Sequence, residues 1–141
     1  MAVAGAIRRS TSTPHIASRA NVLEKSTPDE YPLIVDLRFL SGFVTKTAFK
    51  YETYFTFRDV TEYMCSLDLE RAYYHVNVLE RQRKFLGFWL FGEFYEFCVL
   101  SFGPSDACRI FTELYKVPVR ALRSQGLRVM SYLDDFLVML T

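Results

Sequence analysis

Met130-Ser131-Tyr132-Leu133-Asp134-Asp135-Phe136-Leu137-Val138-Met139-Leu140 has the pattern of an apolar hairpin interrupted by two adjacent acids. Successive side chains of a strand point to opposite faces, so in an unbroken strand one aspartate would enter the core. A tight turn at the pair avoids that and places both carboxylates near one rim. Two carboxylates ~4 Å apart, at an effective dielectric of ~20, repel by on the order of 4 kcal/mol. A solvated turn relieves that repulsion, and so does a divalent cation. Taken alone, the pair is read first as an ordinary exposed turn.

A third acid shifts that reading. Met64-Cys65-Ser66-Leu67-Asp68 predicts another strand, again ending in a carboxylate where none is expected. If the two strands are neighbours, Asp68, Asp134 and Asp135 converge. Two-metal nucleotidyl transfer needs such a site: one ion lowers the pKa of an attacking 3′-hydroxyl, and the other neutralises a triphosphate and its leaving group. Mg²⁺ favours few carboxylates completed by phosphate oxygens and waters.

Around these strands the periodicity changes several times. Leu33-Ile34-Val35 predicts a short strand, residues 46–50 an extended segment, and residues 53–63 a helix in preference to a strand. Tyr74–Val78 is expected to be extended, with Glu80–Lys84 a polar turn. Phe85–Leu90 and Tyr95–Leu100 form a predicted hairpin around Gly92, where a glycine accepts positive φ. After Pro104 a period near 3.6 sets in, and Ala107, Ile110, Phe111, Leu114, Val117, Ala121 and Leu122 make one apolar stripe. Pro118 should kink that helix and Gly126 should end it. The order predicts an α+β domain, an antiparallel sheet with packed helices. Residues 1–30, without sustained period, are expected to be a flexible leader, and residues 31–141 the folded domain.

Composition narrows the function classes. The 141 residues suit one domain; half are apolar and 16% aromatic, as in a folded, β-rich globule. Seventeen basic residues against sixteen acidic ones exclude a strongly basic polyanion binder, so any nucleic-acid contact must come from local charge. Cys65, Cys98 and Cys108 are odd in number and widely spaced, which predicts buried free thiols in a reducing compartment, cytoplasm or nucleus. No apolar run is long enough to span a membrane. The first 23 residues carry Arg8, Arg9 and Arg19 and no acid, a composition resembling a mitochondrial transit peptide. They lack an amphipathic stripe, which favours an unstructured leader.

Four boxes in order carry a family resemblance. Tyr132-Leu133-Asp134-Asp135 resembles motif C, the Tyr-x-Asp-Asp box of reverse transcriptases, and Ser66–His75 is similar to their motif A. Leu100-Ser101-Phe102-Gly103-Pro104 with Ala107 and Ile110-Phe111 resembles motif B, and Val35–Leu40 a fingers motif. Phe85-Leu86-Gly87-Phe88, Tyr95-Glu96-Phe97 and Ala107-Cys108 look most like retroelement enzymes of the DIRS and gypsy kinds. The resemblance covers roughly residues 33–141 and implies partial fingers and palm of an RNA-directed DNA polymerase. It implies Asp68 and Asp134 as direct ligands of Mg²⁺ (or Mn²⁺), with Asp135 completing the acidic site. It implies a dNTP and an RNA or DNA template with its primer as partners. Tyr73, five residues after Asp68, matches the steric gate against a ribose 2′-hydroxyl, the alternative being a core aromatic. Phe102 and Gly103 match the loop beside the incoming nucleotide. Asp36 and Arg38 match a template-facing fingers strand or form an internal salt bridge. Arg81, Arg83 and Lys84 suit phosphate contacts or, preferentially, a solvated turn.

The chain also departs from that pattern. Ser101 and Pro104 stand where motif B usually has Pro and Leu, Ser41 replaces an Asn, and Pro32 lies where many relatives carry a basic residue. The sequence given runs six residues past Asp135, so motif D, primer grip, thumb and RNase H are expected to be absent. The competing expectation is a catalytically inactive palm kept as a binding or structural module.

Overall fold

A computed structural model describes residues 5–23, 32–52 and 63–140. The chain forms two compact units, one from Met1–Thr45 and Tyr73–Ala107, the other from Lys46–Ala72 and Cys108–Thr141.

In the first unit, strands β1 (Ile7–Arg9), β2 (Ala17–Val22) and β3 (Leu33–Val35) join β5 (Gly87–Leu90) and β6 (Glu93–Phe97) in a sheet ordered β1-β6-β5-β2-β3. All pairings are antiparallel except β2 with β5. Leu37, Leu40, Leu86, Phe88 and Phe97 form its core, flanked by Ile7, Ala20 and Val35. The β5–β6 hairpin turns through Phe91 (φ 50°) and Gly92 (φ 83°), a two-residue loop with both central residues left-handed. That geometry matches the strand twist and explains the glycine. Short helices α1 (Arg38–Ser41) and α2 (Glu80–Arg83) complete the unit.

Three expectations fail here. Much of the supposed leader is structured: β1 and β2 fall within residues 1–30. Arg8 pairs with Glu96 at 2.5 Å and with Glu80 at 3.1 Å, and Arg9 donates to Glu93 at 2.6 Å. The arginines looked solitary because their acids lie more than 70 positions away. The segment expected to be extended at Tyr74–Val78 begins as a 3-10 turn, Ala72–His75, with only Asn77 bridging to Val99. Arg71, just before it, takes a left-handed φ of 55°. The run 80–84, expected to be a polar turn, is mostly helix α2.

The second unit is a three-stranded antiparallel sheet, β4 (Tyr63–Asp68), β8 (Asp135–Leu140) and β7 (Arg128–Tyr132), with β8 in the middle. The element expected over 53–63 lies outside the described residues except for Tyr63, which opens β4. Helix α3 (Ala107–Ser124) packs Tyr115 and Val119 against Val129, Phe136 and Val138. The buried positions Ala107, Phe111 and Val119, with Tyr115 between them, step by four. Ile110, Leu114, Val117 and Leu122 of the predicted stripe are exposed instead. Tyr115 decides this: its ring stacks on Phe111 and meets Phe136, so an aromatic with a polar tip belongs to the core side. The helix runs through Pro118, and bonds from Gly126 to Arg123 and from Leu127 to Leu122 close it. Of the three free cysteines only Cys98 is buried; Cys65 is exposed on β4, all six residues of which are exposed. Among the described residues no helix is long and apolar enough to cross a membrane.

Candidate active site

The acidic hairpin forms, with its turn one residue earlier than expected. Tyr132 pairs with Asp135, leaving Leu133 and Asp134 as a two-residue loop. Leu133 sits at φ 52°. For a residue with a Cβ that conformation costs about 1–2 kcal/mol. Asp135 is thus the first residue of β8, and only Asp134 lies in the turn.

On its other side β8 pairs with β4 in a register that sets Asp68 opposite Asp135. The Leu69 amide donates to the Asp134 carbonyl at 3.0 Å. A bond from the residue after one partner to the residue before the other marks a non-hydrogen-bonded pair. Cα atoms at such positions approach to about 4.5 Å, and the side chains leave the sheet on the same face. The Tyr132, Asp135 and Asp68 side chains therefore share one face, while Val129, Phe136 and Val138 hold the opposite face against α3. Asp68 and Asp135 are both exposed, and neither forms an ion pair among the described residues.

No group of three His, Cys, Asp or Glu among the described residues is placed to hold a metal ion. The expected trio therefore resolves into a facing pair, Asp68 and Asp135, plus Asp134 in the turn. The register joins Asp68 to Asp135 rather than to Asp134. A facing pair still suits Mg²⁺, which is commonly held by one or two carboxylates and completed by substrate phosphates and water.

The other predicted residues lie in the first unit. Tyr73 is buried, and its ring centroid is 4.4 Å from that of Phe102, which is exposed. Gly103 follows at φ 117°, and the Ser41 hydroxyl donates to its carbonyl at 3.4 Å. Tyr73, Phe102 and Gly103 are thus brought together. Asp36 and Arg38 form a two-pronged ion pair at 2.7 and 2.9 Å, the internal salt bridge left open by the sequence. The Arg38 side chain, and then its backbone amide, hold the Asp36 carboxyl down to about 2. Arg83 donates to the Val78 carbonyl at 3.1 Å, and the Lys84 ammonium lies 5.2 Å from the Phe85 ring centroid.

Sequence reasoning passed over Tyr51, Glu52 and Arg123, all of which touch the acidic hairpin. Burial pushes the Glu52 carboxyl up, but Arg123 and the Ser131 amide outweigh it and leave the group below its ordinary value. Only the isolated acid at Glu52, in a segment otherwise aromatic and basic, offered a signal.

No family model matches the sequence, and no curated protein is similar to it. Among solved structures, the native protease–reverse transcriptase of prototype foamy virus matches with a TM-score of 0.76 over 96% of this chain, at 19% sequence identity. The chain spans 18% of the length of that protein's chain. This α+β chain of largely antiparallel sheets and packed helices is compatible with partial fingers and palm, and it is in its fold that it resembles a reverse transcriptase.

Proposed function

We propose that this chain carries the fingers and palm portion of an RNA-directed DNA polymerase encoded by a DIRS-like or gypsy-like retroelement. The reaction is attack of a primer 3′-hydroxyl on the α-phosphate of a dNTP, directed by an RNA or DNA template. The observation that carries this reading is the facing pair Asp68–Asp135, both exposed, on the face of the sheet opposite Val129 and Phe136. The reverse-transcriptase-like fold around it adds support.

Asp68 and Asp135 concentrate negative charge where a cation, and with it a triphosphate, would be drawn, and Asp134 completes the acidic rim. A bound divalent ion, Mg²⁺ or Mn²⁺, would supply Lewis acidity toward the 3′-hydroxyl and charge neutralisation at the phosphates. Tyr73, fixed against Phe102, is assigned to exclude a ribose 2′-hydroxyl, and Gly103 to admit the nucleotide close to the backbone.

Primer extension on an RNA template with Mg²⁺ or Mn²⁺ tests the reading, with Asp68→Asn and Asp135→Asn as controls. Extension that disappears in both variants supports it; extension that survives them denotes a contaminant. A second reading, a palm-like module that binds without turnover, is favoured by Asp134: it lies in the turn, and the register leaves a two-carboxylate face. Template binding without extension under either metal would select that reading.

A further inference from the structure

Strand β7 lies at an edge of the three-stranded sheet. Because Tyr132 and Asp135 close the two-residue turn, Tyr132 directs its amide and carbonyl toward β8. Alternation then points the backbone groups of Ser131 and Val129 away from β8. An edge strand normally leaves such groups to water or to another chain. Here side chains take the Ser131 amide and the Val129 carbonyl. The Ser131 amide donates to Glu52 Oε2 at 3.3 Å. The Val129 carbonyl accepts from Arg123 Nε at 3.0 Å and Nη2 at 2.7 Å. Arg123 Nη2 also donates to the same Glu52 oxygen at 2.7 Å, which ties donor and acceptor together. One residue earlier, the Tyr51 ring lies 5.0 Å from the Tyr132 ring, and Tyr51 is hydrogen-bonded to Cys108 of α3.

The cluster therefore grips Val129, Ser131 and Tyr132 in succession, up to the residue before the strained turn. Register is what this grip protects. A slip of one residue would carry Asp135 to the other face of the sheet and away from Asp68. The turn gives little help, since its first residue is a leucine at positive φ.

We propose that Glu52 and Arg123 are positioning residues for the acidic hairpin: together they bind the outward edge of β7 at Val129 and Ser131 and hold Asp135 opposite Asp68. The consequence for catalysis rests on the polymerase reading; the clamp itself does not. Neither residue is assigned contact with substrate.

The test uses the full chain and three variants, Glu52→Ala, Glu52→Gln and the charge-reversed double variant Glu52→Arg with Arg123→Glu. The readouts are hydrogen exchange of the Ser131 amide, the cross-strand Asp68–Asp135 contact by NMR, and primer extension. Hydrogen bonds to charged groups shift equilibria by roughly tenfold or more, so Glu52→Ala should speed Ser131 exchange by at least about tenfold. It should also weaken the Asp68–Asp135 contact and lower kcat more than it changes the KM for dNTP. Glu52→Gln keeps an acceptor and the side-chain shape, and should lie close to wild type in exchange. The double reversal should not restore protection, because an arginine at position 52 cannot accept from the Ser131 amide. A plain surface ion pair would be restored by it. Unchanged exchange in Glu52→Ala, or recovery in the double reversal, overturns the proposal. If exchange responds as expected while the wild type extends no primer, the clamp is supported and the polymerase reading fails.

Discussion

Asp68 and Asp135 face each other across a non-hydrogen-bonded position of the β4–β8 ladder, on the side of the sheet away from Val129 and Phe136. Like charges directly opposite in a sheet destabilise it. The pair is therefore a local cost of the fold, and a cation is the ligand that would turn that cost into binding energy.

Neutralising either member should separate stability from ligand response. In metal-free buffer Asp68→Asn and Asp135→Asn are expected to melt at or above the wild-type temperature. A divalent ion at a hundred times its Kd would stabilise the wild type by about 2.7 kcal/mol. Mn²⁺ titrations followed by thermal melting should show that shift in the wild type and lose it in both variants. Primer extension should fall by at least about a hundredfold in each.

The turn carries a conformational cost that glycine would remove. Leu133, at φ 52°, is expected to gain up to about 1 kcal/mol of stability on replacement by glycine, after the entropy lost with the side chain. Leu133→Val should lose stability, since β-branching fits the left-handed region worst. Urea unfolding of the two variants measures the difference in sign.

Helix α3 has one face that matters for stability and one that does not. Phe111→Ala empties a fully buried site and should cost about 3–5 kcal/mol. Leu114→Ala, on the exposed stripe, should stay within about 0.5 kcal/mol. Comparable losses at the two positions would show that the helix is rotated from the orientation described.

Strand β1 predicts that residues 7–9 contribute to folding. Removing residues 1–10, or replacing Arg8 by alanine, should lower the melting temperature, because Glu96 is left buried without its cation. Adding Glu96→Gln to Arg8→Ala should recover part of the loss. Melting curves indistinguishable from wild type would return this segment to the status of a leader.

Asp36 offers a pH signature. Its folded pKa, about 2, lies below the ordinary 3.8, lowered by the Arg38 side chain and amide. A depressed carboxyl contributes stability that is present above 3.8 and is lost as the pH falls through about 2. NMR titration should find the Asp36 midpoint near 2, moving back toward 3.8 in Arg38→Ala. The pair is exposed, so solvent screening keeps its effect on global stability small.

The order of elements was legible without coordinates wherever the signal was local. Short apolar runs marked β4, β7 and β8, Gly92 marked the β5–β6 turn, and a period near 3.6 marked α3. These features depend on residues within a few positions of one another. The resemblance of four boxes to reverse transcriptases pointed to the same α+β architecture that the structural likeness shows.

Other features could not be read that way. The face of α3 that is buried depends on where Val129 and Phe136 lie, not on the helix's own apolar count. Arg8 finds Glu96 across 88 positions, and Glu52 finds Ser131 across 79. The sequence by itself determined that three aspartates interrupt apolar strands, because the order of apolar and acidic residues is a property of the chain. Only the tertiary structure decided that Asp135, rather than Asp134, faces Asp68. That choice is set by register, through a turn that begins at Leu133 and a ladder bond from Leu69, and register belongs to paired strands rather than to either one.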